Sequence, residues 1–443
     1  MKVQLINAPL ADVFLPSIRA GAVPPLHLAA LAAYVRTSGI DASIEILDGE
    51  LIPTREIIAK LDADVVGISC NSLTYDAALY IARAAKTRGA YVVMGGAHPT
   101  FAAWDIVRNR PYVDLAVVGD GEAALGEILR GKPACSIPNA VYRDHGIVAE
   151  TAVAEIPFRE LPSPDYSGMD LESYHRRYRS LYPDKPFNKA FAALSAKGCQ
   201  WRVRSRGGCV FCAIQHHGFR IKSPHRFWGE LMEANQRWGA DFIWDVSDTF
   251  TMQRDWIRRF LKTKPQSTPF RFQVYGRSSD IDEEMADLLA QIGVYETFLG
   301  VESGSNDTLK ASRKGISAAS NIRAIRHLNR AGIRAVISIV LGLPEESEET
   351  INATKSMVAE IVNSASLSEM NCSLMLPLPG SRSMQMLREH FPAESGKEDL
   401  FEPDVLRKQW ISLQCRVSYE RLLDVQGEMR TLHHRVGTFG LTA

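Results

Sequence analysis

The sequence predicts an α/β chain: a doubly wound parallel sheet, then a six-unit βα partial or full barrel, then a helical C-terminal segment. Three observations carry this expectation. Strand-like apolar runs alternate with helix-like runs through residues 1–150, and again through 190–380. Several of the helical runs close on glycine. A chain of 443 residues is also too long for one ordinary core. The boundaries read as 1–150 for the first domain, 151–189 for a linker, 190–380 for the barrel and 381–443 for a helical cap.

Composition narrows the class. Hydrophobic residues at 46% with charged residues at 23% give a globular chain. Lys plus Arg equals Asp plus Glu at 51 each, which supplies no long-range steering toward nucleic acid or an anionic membrane. MKVQLINAPL lacks the apolar stretch of a secretory leader, and no run reaches 18 apolar residues. Seven cysteines, an odd number without a disulfide-like framework, suit a reducing cytoplasm.

The first domain reads in order. KVQLINAP is a buried strand, and PPLHLAALAAYVRTSG is a helix started by Pro24 and Pro25 and ended at Gly39. IDASIEILDG, DVVGISC, AYVVMGG and VDLAVVGDGE are further strands, with TREIIAKLDA and LTYDAALYIARAAKTRG as helices between them. Ligands of such sheets sit at strand carboxyl ends. Here those ends carry Ser69, Asn71 and Ser72, then Gly95, Gly96, His98 and Thr100, then Gly119, Gly121 and Glu122. The glycines let a ligand approach backbone closely, although ordinary strand-to-helix turns use the same residues. The proline-rich stretch after them reads as a linker with a helical piece around MDLESYHRRYRSLY. Its basic run, His175 to Arg179, reads as a solvated helix face or a contact to a cofactor phosphate.

The barrel strands are FAALSAKGC, FIWDVSDTF, FRFQVYGRSS, ETFLGVESGS, AVISIVLGLP and SEMNCSLMLPLPGS. Barrel chemistry belongs at their carboxyl ends. Those ends carry Asp245 with Asp248, Arg277, Glu302, and Gly342 with Leu343. The first strand runs into KGCQWRVRSRGGCVFCAI, where Cys199, Cys209 and Cys212 follow a C-x9-C-x2-C spacing. Three thiolates suit an iron–sulfur cluster with one iron left open, where S-adenosylmethionine (SAM) can chelate. A zinc site completed by His216 or His217, or simply buried thiols, fits the same spacing. In the C-terminal helices Trp410, Leu413, Leu422 and Leu423 are expected to pack the segment down, with Cys372 and Cys415 as buried inert thiols. His433 and His434 there read as surface or core histidines.

Two resemblances complete the reading. PPLHLAALAAYVRTSG, DVVGIS, VVMGGAHPT, VDLAVVGDGE and LPSPDY resemble the cobalamin-binding domain that precedes many radical SAM enzymes. GCQWR, GCVFCA, GVESGS, VLGLPEE and PLPGS, placed after successive strands, resemble the radical SAM core. The resemblance implies that Cys199, Cys209 and Cys212 hold a [4Fe–4S] cluster. It implies SAM contacts from Phe211, Asp248, Arg277, Glu302, Gly342 and Leu343, and cobalamin contacts from the strand-end residues of the first domain. It implies hydrogen abstraction from an unactivated carbon, with cobalamin-dependent methyl transfer as the favoured outcome. Cobalamin-independent dehydration, dehydrogenation or epimerisation of a sugar-like substrate is the alternative. The implied partners are a small-molecule substrate and an external electron donor of flavodoxin or ferredoxin type. Two features depart from the pattern. The D-x-H-x-x-G motif that supplies a lower axial histidine is absent, and VRSRGG reads as an insertion in a loop that is usually C-x3-C-x2-C. A methylthiotransferase would want more N-terminal cysteines than Cys70 and Cys135.

Overall fold

The structure, a computed structural model, describes residues 1–10, 21–214 and 218–434, with side chains through Met429. His216, His217 and the side chains of His433 and His434 lie outside the described residues. The chain divides into two compact units, 1–188 with 392–401, and 189–391 with 402–443.

The first unit is built on β1 (Lys2–Asn7), β2 (Ser43–Asp48), β3 (Val65–Ser69), β4 (Tyr91–Gly95), β5 (Leu115–Val117), β6 (Ala140–Asp144) and β7 (Ile147–Glu150). Its helices are α1 (Leu26–Thr37), α2 (Thr54–Ala59), α3 (Tyr75–Thr87), α4 (Ala97–Asn109), α5 (Glu122–Leu129) and α6 (Leu171–Leu181). The sheet order is β2-β1-β3-β4-β5-β6-β7. The first five strands are parallel, whereas β6 and β7 extend the sheet as an antiparallel hairpin. Side-chain alternation explains the two layers of helices. Val3, Leu5, Val65 and Val93 enter one core with Leu28, Val35, Leu125 and Ile128. Their neighbours Ile6, Val66, Ile68, Val92 and Met94 enter the other with Tyr75, Ile81 and Ile106.

Two sequence boundaries are corrected here. The segment read as a linker belongs to the first unit, because α6 buries Tyr174 and Tyr178 and the Tyr174 hydroxyl donates to Asp48. The segment read as one continuous cap is interrupted, because 392–401 returns to the first unit. There the buried Asp399 carboxylate accepts from Arg110 Nε at 2.7 Å and Nη2 at 3.0 Å, and from the Tyr75 hydroxyl at 2.5 Å. An ion pair and a phenol hydrogen bond thus tie ten residues to helices more than 280 positions earlier.

The second unit contains β8 (Ala190–Ala193), the short β9 (Ala196–Lys197) and β10 (Arg220–Ile221), β11 (Phe242–Asp245), β12 (Arg271–Gly276), β13 (Val294–Glu302), β14 (Arg334–Leu341) and β15 (Leu367–Leu374). Its helices are α7 (Gln200–Arg204), α8 (Pro224–Trp238), α9 (Arg254–Lys262), α10 (Glu283–Ile292), α11 (Asn306–Ala311), α12 (Ala318–Arg330), α13 (Glu348–Ser364), α14 (Arg382–His390), α15 (Pro403–Gln414) and α16 (Tyr419–His434). The six main strands form one parallel sheet in the order β15-β14-β13-β12-β11-β8, an open (βα)6 sheet with chain order running monotonically across it. Trp228 of α8 stacks on Phe260 of α9 with centroids 4.1 Å apart, and both rings meet Phe272 of β12 edge-on at 5.8 and 6.4 Å, which seats the two helices on the sheet. The last helices pack as expected through the buried Trp410 and Leu422, whereas Leu413 is half-buried and Leu423 is 42% exposed. Among the described residues no helix is long and apolar enough to cross a membrane.

Candidate functional site

The carboxyl end of β13 sets up the first group. Register shifts between Gly300 and Glu302, and Glu302 adopts a left-handed φ of 63°. A bulge of this kind re-aims the side chain it carries, at a backbone cost of about 1–3 kcal/mol. Glu302 turns inward and is buried, where Lys314 Nζ donates to its Oε1 at 2.6 Å. An added Cβ at Gly300 would overlap Glu302 Oε1 and crowd Lys314 Nζ, so a side chain there would displace the pair. Lys314 is buried too, and its ammonium lies 5.7 Å from the centre of the Phe211 ring. Burial works against that charge, but Glu302 and Cys209 together hold the Lys314 pKa above its usual value.

Arg277, at the end of β12, is the second group. Its guanidinium donates to the Lys314 carbonyl and stacks 4.6 Å over the Trp201 ring, while its buried Nε has no partner among the described residues. Asp245 and Asp248 follow β11. Asp245 is fully buried, with Oδ1 accepting from the Ser247 amide at 2.9 Å and with Oδ2 unpartnered. Asp248 accepts from the Gly198 amide at 2.9 Å, directly beside the cysteine loop. Burial raises both carboxyl pKa values.

The three cysteines meet at this end of the sheet. Cys199 lies 3.5 Å from the Thr249 hydroxyl, and the Cys212 amide donates to the Cys209 carbonyl at 3.2 Å. Burial pushes the Cys209 thiol up, opposed by the positive charges of Lys314 and Arg277. Burial, then the neighbouring Cys209, pushes Cys212 up to about 12. Among the described residues no three His, Cys, Asp or Glu side chains converge tightly enough for a single metal ion. The three thiols instead sit among charges of both signs, Lys314, Arg277 and Arg202 with Glu302 and Asp248, and three soft donors are the set that an iron–sulfur cluster with one open iron uses.

The long gap between the first two cysteines has a defined shape. Residues 200–204 form α7, and the Gly207 amide donates to the Arg202 carbonyl at 2.9 Å. Positive φ at Arg206, Gly207 and Gly208 turns the chain back. Trp201 pins this helix, donating from Nε1 to the Arg313 carbonyl at 3.0 Å with its ring against Gly315, where any Cβ would overlap it. Arg313 returns a bond to the Ser205 carbonyl at 2.8 Å. Lys314, between these two anchors, carries no sequence signal. A lysine between an arginine and a glycine reads as a surface charge until its burial is seen.

Gly342 and Leu343, expected to contact SAM, are packed by the C-terminal helices. The Gly342 carbonyl accepts from Trp410 Nε1 at 2.8 Å, Leu343 is fully buried, and Ile411 and Leu422 crowd the glycine. Their side of the strand end is occupied by α15 and α16.

In the first unit, the strand ends form a glycine-rich rim. Thr100 donates to the Gly96 carbonyl at 2.8 Å and accepts from the Gly119 amide at 3.0 Å, joining the ends of β4 and β5. Gly96 has φ 100° and sits against Cys70, where a Cβ would lie 2.5 Å from a carbonyl oxygen. Gly119, at φ 77°, has no atom near where a Cβ would point, so its backbone faces open space, as a flat ligand requires. Three of the residues expected to contact cobalamin, Asn71, Ser72 and His98, are hydrogen-bonded within the protein. The Asn71 side chain accepts from the Leu73 and Thr74 amides as a turn before α3. His98 is 1% exposed, with Nδ1 3.1 Å from the Ser72 hydroxyl, Nε2 3.0 Å from the Asp399 carbonyl and its ring stacked on Tyr75. Burial lowers its pKa to about 4.

The B12 binding domain model matches residues 18–129, and the Radical SAM superfamily model matches residues 194–358. The chain is similar to an uncharacterized methyltransferase of Pyrococcus horikoshii, with 26% identity over 81% of this chain and 77% of that protein. It is also similar to an anaerobic magnesium-protoporphyrin IX monomethyl ester cyclase of Rubrivivax gelatinosus, with 25% identity over 77% of this chain; it spans 63%, under two thirds, of that protein. Among solved structures, the radical SAM methyltransferase TsrM of Kitasatospora setae, with cobalamin and a [4Fe–4S] cluster bound, superposes with a TM-score of 0.67. That likeness covers 87% of this chain and 75% of that one at 18% identity, and is a likeness of fold. Both domain types occur in the order read from the strand ends, and the chain is a radical SAM enzyme with an N-terminal cobalamin-binding-type domain.

Proposed function

We propose that this enzyme transfers a methyl group to an unactivated carbon of a small molecule, using a [4Fe–4S] cluster, SAM and cobalamin. The observation that carries the reading is the pairing, in one chain, of an open glycine rim at Gly119 with three thiols beside the Glu302–Lys314 pair. When bound, these groups supply one-electron SAM cleavage to a 5′-deoxyadenosyl radical and a methyl-carrying cobalt centre. The protein does the rest. Cys199, Cys209 and Cys212 would hold the cluster, and with no fourth thiol beside them among the described residues one iron would be left for the SAM amino acid group. Lys314 and Arg277 hold fixed positive charge where the anionic groups meet, and Glu302, fixed by Lys314, presents its second oxygen to the SAM ribose or amino group. Phe211 offers an apolar face for adenine. Burial of these groups excludes water, which strengthens each electrostatic contact and protects the radical. The electron comes from an external donor of flavodoxin or ferredoxin type.

The test is anaerobic reconstitution with iron, sulfide and hydroxocobalamin, followed by reduction with methyl-labelled SAM. The expected result is a protein-bound corrinoid spectrum, 5′-deoxyadenosine release, and labelled methyl on the corrinoid. A protein that releases 5′-deoxyadenosine yet stays free of corrinoid at saturating ligand would overturn methyl transfer in favour of radical dehydration or dehydrogenation.

A further inference from the structure

The loop between Cys199 and Cys209 is longer than three-thiol chelation requires, and its outer surface is unlike its inner one. Inside, Trp201 is wedged between Arg277 and Gly315, and Arg202 reaches the Cys212 carbonyl at 3.4 Å. Outside, Val203, Arg204 and Arg206 are exposed, Val203 by 49%. Neither Arg204 nor Arg206 forms an ion pair among the described residues, and the carboxylate that feels the charge of Arg204 is that of Asp280, without direct contact. Arg206 stands three residues before Cys209, so its backbone lies within about 11 Å of that cysteine's. The chain as a whole has zero formal charge, so attraction of a charged partner must come from a local patch such as this one.

From this we infer that the insertion is the docking surface for an acidic one-electron carrier protein. The inference rests on the radical reading above, which needs one electron delivered at these cysteines. Two exposed guanidiniums beside an exposed aliphatic side chain suit a protein interface, where arginine is enriched and a small apolar centre excludes water. The anchors Trp201, Arg313 and Gly315 preorganise the patch, so little ordering cost falls on binding. In the step it serves, the carrier is oxidised by one electron and the cluster is reduced by one. No bond forms or breaks, and no proton moves.

The test uses the cluster-loaded full chain and an acidic flavodoxin as the probe. Calorimetry with oxidised flavodoxin and stopped-flow transfer from reduced flavodoxin are compared for the wild type, Arg204→Glu/Arg206→Glu and Arg204→Lys/Arg206→Lys. Photoreduced deazaflavin, a small uncharged reductant, is the control. The expected result is at least tenfold weaker binding and at least tenfold slower transfer for the glutamate variant. The lysine variant and the deazaflavin rate should stay within twofold of wild type, and rising salt should weaken wild-type binding. Flavodoxin binding unchanged in the glutamate variant overturns the inference. So does an equal slowing with both reductants, or a rise in small-molecule substrate KM alone, which would assign the arginines to an anionic substrate. A chain that binds flavodoxin through these arginines but takes up no iron keeps the docking surface and overturns the radical reading instead.

Discussion

Lys314 Nζ stands 2.6 Å from Glu302 Oε1, and both side chains are nearly closed to solvent. The pair joins the bulged end of β13 to the loop that anchors the cysteine insertion. Removing one partner leaves a buried charge without compensation, which costs on the order of 3–5 kcal/mol, whereas neutralising both costs far less. Lys314→Met should therefore lower the denaturant midpoint of the second unit strongly, and Lys314→Met/Glu302→Gln should recover most of that loss. Both variants should bind SAM poorly. A single variant with wild-type stability would show that the pair is not held in the folded protein.

Gly315 is tested through the residue it makes room for. At φ 68° a side chain is strained by about 1–2 kcal/mol, and any Cβ also overlaps the Trp201 ring. Gly315→Ala should expel Trp201 and release α7 while the sheet remains folded. Trypsin cleavage after Arg204 and Arg206 should accelerate at least tenfold under native conditions. An unchanged cleavage rate would mean that the insertion is held by something other than the tryptophan wedge.

Two groups of the first unit titrate with opposite signs. His98 is buried neutral with its pKa lowered to about 4, so between pH 4 and 6.5 the unfolded chain binds the extra proton and stability rises with pH. Glu50 is raised to about 7, first by burial and then by neighbouring Asp48, so between pH 4.5 and 7 the folded chain binds the extra proton and stability falls with pH. Each contributes on the order of 3 kcal/mol across its window, and the two largely cancel. Compared with wild type between pH 4.5 and 6.5, His98→Gln should tilt the profile toward falling stability with rising pH, and Glu50→Gln should tilt it toward rising stability, while His27, whose pKa is also lowered by desolvation, acts equally in all three. Parallel profiles for the two variants would contradict the assigned environments.

The strand ends were legible because parallel strands buried on both faces leave continuous apolar runs, and polar residues after them stand out, as at Glu302 and Asp248. The antiparallel hairpin at 140–150 carries no such contrast, since its strands are short and half exposed. Long-range pairing was invisible for a different reason. Asp399 meets Tyr75 and Arg110 only because the chain doubles back, and no local pattern records that return. His98 illustrates the same limit. Its position after a strand pointed to a ligand contact, but Tyr75 and Asp399 close over it. Lys314 was missed because its neighbours are charged and polar, and only the bulge at Gly300 to Glu302 turns a carboxylate toward it.

The cysteines separate by surroundings. Cys199, Cys209 and Cys212 share one electrostatic pocket with Lys314, Arg277 and Arg202. Cys415 instead lies against Leu343 at the base of α15 and α16, with its thiol pushed up to about 12 by burial. Cys372 is buried in β15, where its carbonyl accepts from Gln426. Anaerobic reconstitution should therefore give about four irons and four sulfides per chain in the wild type, as one four-iron cluster requires. Cys372→Ala and Cys415→Ala should keep that content, with modest losses of stability from the missing sulfur. Cys209→Ala should lose it together with the visible absorbance, because two remaining thiols cannot hold the cluster against competing thiols in the buffer. Wild-type iron content in Cys209→Ala would overturn the assignment, and loss in Cys415→Ala would make that thiol a ligand and leave no open iron.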